Sequence, residues 1–398
     1  MTESKSQQFD VLIVGAGIVG ATLACALGGL KLRVGLIDAR APGTQNDGDK
    51  AEYDLRVSAI TRASENIFKS LSAWQGMVER RVSPFRDMRV WDAGGRGEIH
   101  FDSAELGEPY LGHTIENSVI ITALLDRARS QQNVCLLLNQ TIGEIVDGQE
   151  AVTLRLAGDV TAVTTLLVGA DGARSQLRQH AGIETRGWSY GQQAIVATVQ
   201  TELPHQETAW QRFLPTGPLA FLPLERGCCS IVWSNNDAKA DELMSLAADD
   251  FNAALGDALE RRLGAVKLIS ERAAFPLSLA HAESYIGQRL VLAGDAAHTI
   301  HPLAGQGANL GLADVADLVE VVAMALEAKK DIGSHNMLRR YERRRKGGNL
   351  VMMAAMEGFY RFFGASVAPL PRLRNMGLEL MNRATPIKNL IARRAMGI

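Results

Sequence analysis

Three segments of this chain share one pattern, an apolar run closed by glycine and then a helical stretch. In the first, Phe9-Asp10-Val11-Leu12-Ile13-Val14 runs into Gly15-Ala16-Gly17-Ile18-Val19-Gly20, and the small-residue stretch Ala21–Leu27 follows. A short apolar run bounded by glycine predicts a buried strand. The pattern returns at Thr165–Gly169, where Asp171-Gly172 makes the turn, and at Arg289–Ala293, where Gly294-Asp295 does and a helix begins near Ala308. A further strand, Leu32–Ile37, ends at Asp38. Helices are predicted over about Ser58–Glu79 and Ser118–Gln131, with a polar loop from Ala41 to Asp54.

Between Gln193 and Leu277 the pattern changes. Ala194–Val199 and Trp210–Leu214 predict strands of a mainly antiparallel sheet, to which Met88–Asp92 and Glu98–Phe101 would also belong. The fold class expected is α/β, a Rossmann-like nucleotide-binding domain interleaved with a mainly antiparallel β-sheet domain, plus C-terminal helices. The expected boundaries are 1–80, 104–185 and 278–330 for the first domain, 81–103 and 186–277 for the second, and 331–398 for the helical region.

Composition narrows the function. A chain of 398 residues suits two closely joined domains. A net charge of −2 gives no electrostatic case for nucleic acid. Cys25, Cys135, Cys228 and Cys229 form no C-x-x-C pair, which fits a reducing cytoplasm, and the apolar run around Cys228-Cys229 predicts buried thiols. No ligand cluster points to a metal. No apolar run reaches the ~18–20 residues that span a bilayer. The first apolar stretch is accounted for by strand, turn and helix, so it is not read as a signal peptide.

The chemistry lies in the glycines. Gly15 would permit the tight turn, Gly17 would let the backbone approach a pyrophosphate, and Gly20 would let helix and strand pack closely. Asp38 stands where a ribose hydroxyl would be bound. The three motifs together resemble the G-x-G-x-x-G, "DG" and "GD" signatures of the single-component flavoprotein aromatic hydroxylases, with the para-hydroxybenzoate hydroxylase fold. His301-Pro302-Leu303-Ala304-Gly305-Gln306-Gly307-Ala308-Asn309-Leu310-Gly311, with Asp314 beyond it, is similar to the ubiquinone-biosynthesis hydroxylases. Leu55–Ile60, Glu116–Ile120 and Phe221–Leu224 carry the same likeness. Within that family the chain looks most like the UbiI (VisC-like) branch, with the UbiF and UbiH branches as alternatives.

That resemblance implies FAD as cofactor and hydroxylation of a polyprenylphenol ring through a flavin C4a-hydroperoxide. It implies O2 and NAD(P)H, or a separate reductase, as co-reactants, with biosynthetic assembly partners. It places the pyrophosphate at Gly15, Gly17 and Gly20, and the adenosine ribose at Asp38. Arg56 and Asn117 would contact the phosphate and ribityl regions, Asp171 and Gly172 would close over the pyrophosphate, and Asp295 would bind the ribityl chain. Pro302 would flank the flavin ring, and the Gly305-to-Asn309 loop, through the N–H groups of Gly307, Ala308 and Asn309, would face its N1 and C2 carbonyl. His301, with Pro302, is the candidate for catalysis, and His298 is expected to cap the turn. An FAD-dependent prenyl reductase is the remoter reading; a halogenase is disfavoured because W-x-W-x-I-P is absent. A non-enzymatic assembly component would hold flavin that never turns over.

The C-terminal third is basic at Arg339–Lys346 and rich in Met and aromatics from Leu350 to Phe363. One expectation is a solvated helix face followed by a core helix. The other is a surface that docks on an anionic membrane or on partner proteins, giving a cytoplasmic protein peripheral to the inner face of the membrane.

Overall fold

The N-terminal apolar run is a central strand because both of its faces are covered. In the computed structural model, which describes residues 6–41, 53–95, 97–158, 160–300, 307–364 and 370–398, Ser6–Val14 forms β1. Its Val11, Leu12 and Ile13 are fully buried. A strand covered on both faces needs no polar alternation. Helix α1 (Ile18–Gly29) is apolar almost all round, as a helix enclosed by its domain must be. β2 (Val34–Asp38) then pairs parallel to β1.

The next stretch corrects an expectation. Ser58–Thr61 is not helical but lies in a strand, β3 (Val57–Thr61), and α2 (Arg62–Ser70) starts only after it. The Thr61 hydroxyl accepts the Ser64 N–H, which sets the helix start. A separate short helix spans Trp74–Val78. β4 (Asp87–Asp92), β5 (Glu98–Asp102) and β6 (Gly112–Glu116) follow, then α3 (Asn117–Arg129) and β7 (Val134–Leu138). β8 (Val160–Gly169) and the short α4 (Gln176–His180) make the second strand–turn–helix unit.

β9 (Thr185–Thr201), β10 (Thr208–Leu214), β11 (Gly217–Pro223) and β12 (Cys228–Asn236) come next, followed by α5 (Asp237–Ser245) and α6 (Ala248–Ala258). β13 (Ala273–Ala282) leads to β14 (Leu290–Leu292) and β15 (His298–Thr299). Four helices close the chain, α7 (Gly307–Glu327), α8 (His335–Gly364), α9 (Leu370–Arg383) and α10 (Thr385–Met396).

Two large sheets result. The first has the parallel core β14–β8–β1–β2–β7. The second runs β15–β13–β9–β12–β11–β10–β4–β5 and is antiparallel except where β4 meets β10. In the second sheet the period of two separates core from cleft. Ile195, Phe221, Ile231 and Trp233 point to a core that also holds Leu243 of α5 and Phe251 of α6. Ala194, Ala220, Val232 and Ser234 line a cavity on the other face. Cys228 and Cys229 are buried free thiols, as their apolar run predicts, and burial pushes Cys229 well up.

One buried carboxylate ties the third motif to the C-terminal helices. Asp314 of α7 accepts the Gly294 N–H at 2.9 Å and contacts His298 Nε2 at 2.6 Å. Its other oxygen accepts Arg345 Nε at 2.6 Å and Asn349 Nδ2 at 3.3 Å. His298 therefore does not cap the turn; it is buried inside β15 against this carboxylate because the antiparallel pairing with β13 turns it inward. The basic run is corrected in the same way. Arg345 is mostly enclosed, Arg344 pairs with Glu320 at 2.8 Å, and the Lys346 ammonium donates to the Glu283 carbonyl. Only part of Arg339–Lys346, including Arg339, Arg340 and Arg343, is a free-standing solvated face.

Burial pushes the Asp314 carboxyl up, but the charges and hydrogen bonds of His298 and Arg345 win and leave it below the ordinary carboxylate range. A depressed folded-state pKa adds stability above the unfolded value that is lost as pH falls through the folded one. Asp314→Asn, which leaves Arg345 without its buried partner, is expected to cost about 3–5 kcal/mol at neutral pH. The gap to wild type should stay constant through mildly acid pH and close only below about 3.9. Urea melts across that range check it; a gap of under about 1 kcal/mol would reduce the cluster to a surface-type ion pair.

Candidate functional site

The first two glycine motifs meet backbone to backbone, and the third meets the first through Val19. Gly15 has φ +104°, and a Cβ there would lie 2.2 Å from the Ala170 carbonyl oxygen, beside the Asp171-Gly172 turn. A Cβ on Gly20 would lie 1.8 Å from the Gly15 carbonyl oxygen. Val19 fills the notch of the third motif, where Cβ atoms on Gly294 and Gly311 would come within 2.9 and 2.6 Å of its Cγ2. Glycine at these positions is thus a packing requirement.

Gly17 differs. It is the N-cap residue of α1 with no side-chain cap, and a Cβ built on it meets nothing within 4 Å. The first N–H groups of a helix lack intrahelical partners and form a ready anion site. Gly172 and Gly307 likewise open onto empty space. All three line one cavity of about 560 Å³ between the two large sheets. A recess ringed by glycines, floored by two helix N-termini and large enough for a ring system fits a dinucleotide with a flat head group.

The other expected residues divide between those the cavity exposes and those that build its walls. Arg56, Asn117, Asp295, Gly307 and Ala308 line it. Arg56 is exposed and its guanidinium lies 5.9 Å from the Phe275 ring centre. Asn117 accepts the Ser58 hydroxyl at 2.7 Å. Asp295 faces the open cleft although it sits deep in the protein; that burial pushes its carboxyl up, while the charges of His298 and Arg56 pull against it.

Asp38, Asp171 and Asn309 hold backbone in place. Asp38 accepts the Ala16 N–H at 2.7 Å and the Arg40 N–H at 2.9 Å, which shapes the first glycine turn and still leaves lone pairs. Asp171 accepts the Gln176 N–H at 2.7 Å through one oxygen, while its other oxygen is buried without a partner. Asn309 accepts from Thr61 N–H and the Ser64 hydroxyl and donates to the Ala59 carbonyl at 2.7 Å. It thereby pins the start of α7 to the junction of β3 and α2. His301, Pro302 and Gly305 lie outside the described residues.

Motif reading did not find the far wall. Ala194, Gln211, Ala220, Ser230 and Val232 come from four strands, and Phe275 from a fifth. The signal present in the sequence was alternation around Ala194-Ile195, Leu219-Ala220-Phe221 and Ser230-Ile231-Val232-Trp233, where large apolar residues alternate with smaller ones. Among the described residues no group of His, Cys, Asp and Glu could hold a metal.

The comparisons with known proteins agree with this geometry. A family model described as FAD binding domain matches residues 8–354. The chain is 37% identical to the ubiquinone hydroxylase UbiL of Rhodospirillum rubrum over 397 residues, covering 100% of this chain and 91% of that protein. It is 35% identical to the 3-demethoxyubiquinol 3-hydroxylase of Escherichia coli over 393 residues, covering 99% and 100% of the two. In fold it resembles the crystal structure of p-nitrophenol 4-monooxygenase PnpA from Pseudomonas putida, with a TM-score of 0.80, 18% identity and 98% of both chains covered.

The cofactor separates two kinds of glycine. Gly20→Ala has no room for its methyl group and is expected to cost about 3 kcal/mol, seen as a lower melting temperature of the apoprotein. Gly17→Ala should change apoprotein stability by under about 1 kcal/mol. Its FAD affinity should nonetheless fall about tenfold or more, because the methyl group enters the recess. Equal FAD titrations for Gly17→Ala and wild type would remove this turn from the binding site. The glycine-walled recess, the two-sheet architecture and the full-length relatives lead to one conclusion: the chain is an FAD-dependent monooxygenase and belongs to the family of ubiquinone-biosynthesis hydroxylases.

Proposed function

We propose that this protein hydroxylates the ring of a polyprenylphenol intermediate in ubiquinone biosynthesis, at the UbiI-type step. The observation that carries the reading is the cavity itself, whose one side is the FAD recess and whose other side is a sheet face of short, mostly apolar side chains. One atom of O2 enters a ring C–H bond and the other leaves as water, with two electrons drawn from NAD(P)H or a separate reductase. FAD, when bound and reduced, supplies the oxygen chemistry that no side chain can.

The chain's own residues bind and orient. The helix N-termini at Gly17 and at Gly307–Asn309 present N–H groups to the pyrophosphate and to the flavin edge that is negative when reduced. Gly15 and Gly20 shape that loop, and Asp38 is placed to receive the adenosine ribose. Arg56 reaches the phosphates, Asn117 and Asp295 the ribityl hydroxyls, and Gly172 with Asp171 closes the pyrophosphate side. Pro302 and Gly305 would flank the flavin ring. His301 is the candidate proton acceptor for the phenol. Leu277, Ile300 and Phe275 line the cavity and give the reacting ring an apolar flank.

The full-length match to the E. coli 3-demethoxyubiquinol 3-hydroxylase favours a second reading, the later UbiF-type step. Mass spectrometry of quinones in cells lacking the gene, before and after complementation, decides between them. An accumulated polyprenylphenol is expected, and complementation should clear it. A demethoxylated quinone would assign the late step, and an unchanged profile would sink both.

The same reading gives the C-terminal helices a lipid-facing role. Asn375, Asn382 and Asn389 turn inward and bond Gly97 N–H, His100 N–H and the Glu105 carbonyl. On the outer side, Met376 is 66%, Leu380 70% and Leu390 67% exposed. Over residues 370–398 the sequence holds six basic residues against Glu379; of these Lys388 is buried against Glu105 at 2.9 Å, while Arg383, Arg393 and Arg394 are exposed. An apolar outer face with a cationic surround fits an anionic membrane surface, and it sets a second copy of the chain at a disadvantage through like charge. Among the described residues no helix is long and apolar enough to cross a membrane. The wild type should float with vesicles of phosphatidylcholine and phosphatidylglycerol, and Arg343→Glu should float equally. Leu380→Asp/Leu390→Asp should lose most of that binding; flotation unaffected by it, or absent in the wild type, rejects the role.

A further inference from the structure

On the cleft face of the second sheet, one amide stands out from its row. Gln211 in β10 pairs across to Ala220 of β11, Ala220 to Val232 of β12, and Val232 to Val196 of β9. Its chain neighbour Arg212 points the other way and donates to the Ala258 carbonyl of α6. Gln211 lines the cavity, is only 6% exposed, and its amide has no hydrogen-bond partner among the described residues. The amide opens onto the cavity rather than into the core, so it is free to bond a group that enters there. The side chains beside it are short and apolar, so the space in front of the row admits a flat ring.

We propose that Gln211 is the residue that reads the ring oxygen of the substrate. This rests on the ring-hydroxylation reading above and adds to it the group that orients the ring. A carboxamide both accepts and donates, so it can accept from a phenol O–H or donate to a phenolate. The row Ala220, Val232 and Val196 supports the ring and the first carbons of its alkyl chain. A site built to bond a hydroxyl discriminates strongly against an analogue without one. Gln211 is thus a specificity residue that selects phenols over plain prenylated arenes.

The test crosses two proteins with two ligands. FAD-loaded wild type and Gln211→Leu are titrated, without electron donor, with a short-chain 2-prenylphenol and with the matching prenylbenzene. The change in flavin absorbance reports binding independently of turnover. The wild type should bind the phenol about tenfold or more tighter than the prenylbenzene. In Gln211→Leu that ratio should fall to near one, with prenylbenzene affinity, FAD affinity and melting temperature unchanged. Gln211→Met, closer in shape, should repeat the result and covers the case in which leucine disturbs the sheet. A phenol preference that survives in both variants overturns the proposal. If the wild type binds neither ligand, the ring-hydroxylation reading fails, and the subsite with it.

Discussion

Everything in this site depends on how closely three turns can approach. Gly15, Gly20, Gly294 and Gly311 sit where any side chain would collide with backbone or with Val19. That contact brings together segments more than a hundred residues apart, and it leaves Gly17, Gly172 and Gly307 facing the same open recess. Interiors pack at crystal-like density, so such an arrangement tolerates little adjustment. The cofactor recess is what remains when the three turns are pressed together.

The second sheet is positioned by a different rule. Its strands alternate, so one face becomes core against α5 and α6 while the other becomes cavity wall. Around the middle of the sheet the core parity carries Ile195, Phe221, Ile231 and Trp233 and the cleft parity Ala194, Ala220, Ser230 and Val232, which leaves space for a ring. The buried Asp314 joins this region to the rest, binding Gly294, His298, Arg345 and Asn349 at once. A buried carboxylate is tolerated only when paired and hydrogen-bonded, and here its partners come from the GD turn, β15 and α8.

The C-terminal helices reverse the usual polarity. Asn375 and Asn382 face the protein while Leu380 and Leu390 face outward. Ordinary amphipathic packing would bury those leucines. The helices are held by the three asparagines, the buried Lys388–Glu105 pair and the Arg393 bond to the Leu106 carbonyl, with Leu378, Met381, Ala392 and Met396 as the apolar share, which leaves the other face available to an apolar phase.

The sequence by itself determined the parallel strands, the glycine turns and the antiparallel block, because these depend on neighbours two to four positions away. It also determined the family, because the motifs fall in order along nearly the whole chain. It did not reveal that Ser58–Thr61 pairs as a strand, since that depends on β6 some fifty residues later. Nor did it reveal that His298 and Arg345 share one carboxylate, or that Asn309 spends its side chain on Thr61, Ser64 and Ala59. Gln211 is one polar position in an alternating strand until β11 and β12 set Ala220 and Val232 beside it. Local periodicity records which face a residue takes, but a buried polar group acquires its role from partners that only the folded chain brings within hydrogen-bond distance.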